Sequence, residues 1–177
     1  MVKSDAWIKR MGENIITPFT PAKITQGISF GLSSYGYDFT LAEEFKIFCG
    51  NSPISPKKIR QQDFKDYSGK TCRLAPGSFV LGRSLEYFRI PRNILGICFG
   101  KSTYARCGII INVTPLEPEW EGFITIQIAN LAPVEAEVYA GEGIGQIIFL
   151  EADELCMRSY KDLAGKYQQA REIQLPR

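Results

Sequence analysis

Apolar positions in this chain recur in short, closely spaced runs, and helical periodicity is confined to one stretch. Trp7, Ile8 and Met11 share a face at helical spacing behind Ser4, a residue type that caps helices, which predicts one short N-terminal helix. Beyond it the pattern changes to brief segments rich in β-branched and aromatic residues, punctuated by Gly, Pro and Ser. Gly31–Thr40 suits a turn-rich start to a strand. Phe79–Gly82, Ile94–Phe99, Ile109–Val113, Phe123–Asn130, Val134–Ala140 and Ile144–Leu150 read as strands. The polar, Pro-bearing stretch Ser52–Ser68 reads as a surface excursion. Many short strands with almost no helical period predict an all-β fold, a barrel or jelly roll.

Two strands also predict their facing. In Phe123–Asn130, Ile124, Ile126 and Ile128 alternate with Thr125, Gln127 and Ala129, so one side is set for the core and the other is free for a site. Ile144–Leu150 is apolar on both sides except at Gln146. An amide enclosed there needs partners, either backbone groups or a ligand. The stretch from Arg158 to Arg177 is rich in Tyr, Lys, Gln and Arg and poor in large aliphatics, so it is frayed or folds over something outside the core.

Composition narrows the chemistry. The 177 residues fit one domain, residues 1–177, with 158–177 as a tail, and 45% hydrophobic content supports a real core. A net charge of +2 gives no footprint for a long nucleic acid. The longest apolar runs are too short to cross a membrane, and Met1–Arg10 lacks the look of a secretory signal, so a cytosolic setting is expected. Cys49, Cys72, Cys98, Cys107 and Cys156 then read as reduced thiols, mainly small core hydrophobes. The chain has no histidine, which removes Ser-His and Cys-His couples and His-bearing zinc sites, including the H-x-E and P-C-x-x-C pattern of zinc deaminases.

Two segments carry candidate chemistry. Across residues 100–108, GKSTYARCG, Ser102 is placed to cap a short helical turn, Gly108 to stop it, and Ser102 and Arg106 share a face. Backbone N–H groups, a hydroxyl, a guanidinium and the neighbouring Lys101 would cradle phosphate; the alternative is a capped, solvated turn. In residues 113–122, VTPLEPEWEG, two prolines stiffen a loop with three carboxylates. Those acids could orient a sugar hydroxyl, activate water or hold Mg²⁺, or simply be solvated.

GKSTYARCGIIINVTPLEPEWEG closely resembles the dCTP deaminase family, in the form where Pro-Leu replaces the His-Arg pair of the loop. SSYGYD, SFVLGRSLEYFRIPRNILG, the G-x-x-I-G-Q-x-x-F pattern around Gln146 and SYKDLAGKY extend the resemblance over most of the chain. It implies a dUTPase-like distorted β-barrel assembled as a homotrimer, with sites at subunit boundaries. The implied reaction is dCTP plus water to dUTP and ammonia, with Mg²⁺ on the triphosphate and dTTP as a possible inhibitor. Lys101, Ser102, Thr103, Tyr104, Ala105 and Arg106 would bind phosphates, Arg106 also assisting at the catalytic centre. Thr125, Ile126 and Gln127 would line the base pocket beside the main chain near Thr114, with Glu117 near the deoxyribose. Gln146 and Tyr160 would contact the nucleotide, and Lys166 would reach the phosphates from the tail.

The chain departs from that pattern at Gln127, where the family carries a glutamate that relays protons from water to the leaving amine. Glutamine cannot do so. Ala170 replaces a nucleotide-contacting glutamine and Glu172 replaces a glycine, so natural divergence fits better than one isosteric exchange. Competing readings are a dUTP pyrophosphatase using Glu117 to activate water, a catalytically silent nucleotide-binding protein, and a sugar-binding jelly roll.

Overall fold

The computed structural model describes residues 1–176, so Arg177 at the end of the expected tail lies outside the described residues. In chain order the elements are α1 (Asp5–Met11), β1 (Ile16–Thr17), β2 (Lys23–Ile24), β3 (Phe30–Ser33), β4 (Gly36–Phe48), β5 (Phe64–Ser68) and β6 (Thr71–Leu74). There follow β7 (Phe79–Arg89), β8 (Ile94–Gly100), α2 (Ser102–Ala105), β9 (Ile109–Asn112), β10 (Glu121–Asn130), β11 (Ala136–Tyr139) and β12 (Gly143–Glu151).

The all-β prediction holds, and β4 is the strand that makes the sheet curl. Its first half pairs with β3 and β12, through Tyr37–Ile147 and Asp38–Gln146. From Leu41 onward it pairs with β7 and β5 instead. One strand thus joins two layers, and Gly36 to Ala42 are all buried because both of their faces are covered. The order β2-β3-β4-β7-β10-β9 carries the ten-stranded sheet, β12 links β4 to β8, and β6 pairs only with β11. Every named pairing is antiparallel, as expected for short connections.

The core lies between the layers, built on Tyr37, Phe39, Phe45, Phe88, Ile124, Ile126, Ile147 and Phe149. The N-terminal helix forms as predicted: Ile8 is buried and Trp7 and Met11 pack against the core. Ser4 sits at its N-cap but makes no side-chain cap bond; the Asp5 carboxylate instead accepts from the Ala6 N–H at 2.7 Å.

The excursion expected over Ser52–Ser68 ends early, because Phe64–Ser68 is strand β5. Phe64 stacks edge-on against Phe48 at 5.5 Å and Lys46 pairs with Asp66 at 2.7 Å, contacts that a local reading of polar residues cannot anticipate. The cysteine expectation holds only in part. Cys72 is buried and Cys98 packs on the core, but Cys49 and Cys107 are exposed. Burial pushes the Cys72 thiol to about 11 and that of Cys98 to about 12, so neither is a thiolate near neutral pH. No helix among the described residues is long and apolar enough to cross a membrane.

Asn130 closes β10 from inside. It is fully buried, and its Nδ2 donates to the carbonyls of Leu74, Ala75 and Val134 while its Oδ1 accepts from the Ala132 N–H. Asn130→Ala is expected to destabilise the protein by roughly 3 kcal/mol, because buried groups lose their partners without gaining water. Urea denaturation checks this, as a lower midpoint with an unchanged slope.

Candidate nucleotide-binding site

The polar face of β10 opens on a cavity of about 710 Å³. Strand alternation sets its floor: Ile124, Ile126 and Ile128 are 0–1% exposed in the core, while Thr125 and Gln127 stand half-buried on the opposite side. Thr114, Glu117 and Tyr160 also line the cavity, and Phe64, Phe79 and Phe123 give it an apolar wall. Gln127 faces Asn112 across the β9–β10 pair, and the Asn112 Nδ2 donates to its Oε1 at 3.1 Å.

The loop of residues 113–120 separates its acids by pinning its backbone. Leu116 exchanges two backbone hydrogen bonds with Gly96, at 2.8 and 2.9 Å, which buries its side chain and leaves Glu117 exposed at the cavity. Glu119 turns away to pair with Arg92 at 2.6 Å, and Arg92 also holds Asp162 at 2.9 Å. The Ser159 hydroxyl and the Arg92 guanidinium keep Glu119 below the usual carboxylate range. Glu121 accepts from the Gln169 side chain at 2.9 Å. Of Glu117, Glu119 and Glu121, only Glu117 lines the cavity.

The tail folds over this face. Tyr160 N–H donates to the Pro118 carbonyl, the Trp120 indole donates to the Tyr167 carbonyl at 3.0 Å, and Phe123 N–H donates to the Ala170 carbonyl at 2.9 Å. Gly122 makes the close approach possible: a Cβ there would lie 2.9 Å from the Ala170 nitrogen. Gln174 N–H then donates to Thr125 Oγ1 at 3.0 Å, so the tail reaches the cavity itself.

A family model described as dCTP deaminase-like matches residues 2–152. The chain belongs to the dCTP deaminase-like family. Among its relatives, the dCTP deaminase of Bordetella pertussis is 55% identical over 184 residues, spanning 99% of this chain and 98% of that protein. The dCTP deaminase of Polaromonas sp. is 52% identical over 185 residues with the same coverage. The crystal structure of the 2'-deoxycytidine 5'-triphosphate deaminase from Agrobacterium tumefaciens matches with a TM-score of 0.64 over 84% of this chain, at 15% identity. This chain spans 47% of that one, and the likeness bears on the fold alone.

Within this dCTP deaminase-like chain the residues singled out from sequence fall into separate groups. Thr114, Glu117, Thr125, Gln127 and Tyr160 meet at the cavity. Lys101 and Gln146 meet elsewhere, around Asp38, which is 1% exposed: Lys101 Nζ contacts its Oδ2 at 2.7 Å and Gln146 Nε2 donates to its Oδ1 at 2.9 Å. Gln146 also donates to Ser33 Oγ at 3.3 Å, so its partners are side chains rather than the backbone groups considered first. Ser102, Thr103 and Ala105 are exposed on α2, Arg106 is exposed at its C-cap, and Lys166 is exposed on the tail.

Several expectations need correction. The N-cap of α2 is Lys101, not Ser102, and Ser102 is the first helical residue. Arg106 does return to the Ser102 level, donating to its carbonyl at 3.0 Å, and Gly108, with φ of 74°, ends the turn as predicted. Tyr104 is 3% exposed and its hydroxyl accepts from the Tyr139 N–H at 3.1 Å, so its ring belongs to the core. Ile126 is likewise a core side chain. Either residue can offer only backbone atoms to a ligand.

Sequence reasoning missed Asp38, Asn112, Trp120 and Gln174. Asp38 stands in SSYGYD, whereas nothing local marks Asn112. Their roles rest on partners distant in sequence, and no local pattern signals those.

Proposed function

We propose that this chain binds a pyrimidine deoxynucleoside triphosphate on the polar face of β10. In this reading it is a dCTP deaminase-type hydrolase, converting dCTP and water to dUTP and ammonia, with turnover limited by Gln127. The observation that carries it is Gln127 on the cavity wall: an amide, held by Asn112, on a strand whose other face is core. The C4 edge of the base would face Gln127, the sugar Glu117, and Tyr160 would close the site from the tail.

The phosphate-type segment supports a site shared between copies. Among the described residues, none of 101–106 lines the cavity of its own chain. Phe99, Ile110 and Leu131, on β8, on β9 and just after β10, are 57%, 48% and 65% exposed, which suits burial against another copy. A homotrimer in which α2 of one chain completes the cavity of the next accounts for both facts. For the metal, Glu117 is the one carboxylate lining the cavity, and no cluster of three or more acids or cysteines occurs among the described residues. That donor set fits a Mg²⁺ arriving on the triphosphate and keeping much of its water. Glu117 would hold it or the sugar.

The test is to incubate the full chain with dCTP or dUTP and Mg²⁺ while following ammonia and pyrophosphate. Slow ammonia release from dCTP supports the reading. Pyrophosphate from dUTP would instead make Glu117 the activator of water, as in a dUTP pyrophosphatase. No binding of any pyrimidine nucleotide overturns both.

A further inference from the structure

We propose that the Asn112–Gln127 amide pair makes this site select pyrimidines carrying an oxygen at C4, uracil and thymine, over cytosine. The inference rests on the reading above, in which the C4 edge of the base faces residue 127.

The argument starts from register. Asn112 and Gln127 are direct partners across the β9–β10 pair, so their side chains leave the sheet on the same face. The Asn112 Nδ2 donates to Gln127 Oε1 at 3.1 Å. A glutamine amide has one acceptor end and one donor end, and here the acceptor end is directed at Asn112. That bond turns the oxygen toward Asn112, and the N–H pair, which has no partner among the described residues, is the end offered to a ligand. A glutamate at the same place would accept at both oxygens.

Thr125, two residues away on the same face, points the same way. Its Oγ1 accepts from the Gln174 N–H at 3.0 Å, which leaves its own O–H to donate. The two polar side chains of β10 that line the cavity therefore both present donors. At C4, cytosine presents an amine that donates, whereas uracil and thymine present a carbonyl that accepts. Donor against donor leaves polar groups unpaired at the point of contact; donor against carbonyl forms a bond.

The experiment is titration calorimetry with dUTP, dTTP and dCTP in Mg²⁺, on the unaltered chain and on Asn112→Asp and Asn112→Ala. The unaltered chain should bind dUTP and dTTP about tenfold more tightly than dCTP, the value of one mismatched hydrogen bond. An aspartate at 112 can only accept, so Gln127 must donate to it and turn its oxygen toward the base. The ranking should then shift toward dCTP. Alanine frees the amide to rotate, and discrimination should shrink toward none. Asn112 is exposed, so neither variant threatens the fold.

Equal or tighter binding of dCTP by the unaltered chain overturns the inference, as does a ranking that Asn112→Asp leaves unmoved. Either result leaves nucleotide binding itself standing. Silence with all three nucleotides would remove the underlying reading instead.

Discussion

Gln127→Glu is expected to raise ammonia release from dCTP by about 10²–10⁴-fold, the usual worth of a positioned general base. Deamination needs a group that takes a proton from water and returns one to the departing amine. An amide has no site to hold that proton. The substitution asks little of the surroundings. Gln127 is half-buried on an ordered strand, and the Asn112 Nδ2 donates as readily to a carboxylate oxygen as to an amide oxygen. The new carboxylate would therefore take up the place that the amide holds, aimed at the base. Steady-state assays should show the change in kcat rather than in KM, because the carboxylate acts in the chemical step. A rate that does not move would mean that residue 127 is not the missing proton carrier. The tail then becomes the place to look. Ala170 is buried against Gly122, and Arg171 lies over the Tyr87 ring at 4.9 Å, so this stretch is packed in place beside the cavity.

Stability should fall as pH rises from about 5 to about 8, and Glu86→Gln should remove that slope. Glu86 is 2% exposed, and burial raises its pKa to about 7 from an ordinary 4.5. The Thr40 N–H and hydroxyl donate to the carboxylate at 3.0 Å, which favours the charged form but does not offset the loss of water. The folded state therefore holds a proton that the unfolded chain has already released above its ordinary pKa. That difference stabilises the fold fully below about 4.5 and disappears as pH passes the folded value near 7. The change across the window is on the order of 3 kcal/mol. With no histidine in the chain, the usual titrating side chain of this range is missing, so the signal is unusually clean. Denaturation midpoints at about pH 5 and about pH 8 would read it. Equal slopes in Glu86→Gln and the unaltered chain would assign the effect to another group.

Much of the fold was legible because core-forming positions obey local periods. Ile124, Ile126 and Ile128 announced both a strand and its buried face, and Trp7, Ile8 and Met11 announced the helix. The same rule explains two misplacements. Tyr104 and Ile126 lie inside segments identified by motif, and a motif does not say which of its side chains points inward. The strand Phe64–Ser68 was missed because its reason for existing, the Phe48 and Phe79 rings, lies outside it.

Sequence alone determined the all-β class, the absence of histidine chemistry, the membership-bearing motifs and an amide rather than a carboxylate at 127. Tertiary structure decided who meets whom: Lys101 and Gln146 at Asp38, Gln127 with Asn112, and Gln174 on Thr125. Burial follows a period that each segment carries within itself. Polar pairing depends on strand register and on the path of the tail, which only the folded chain brings into being.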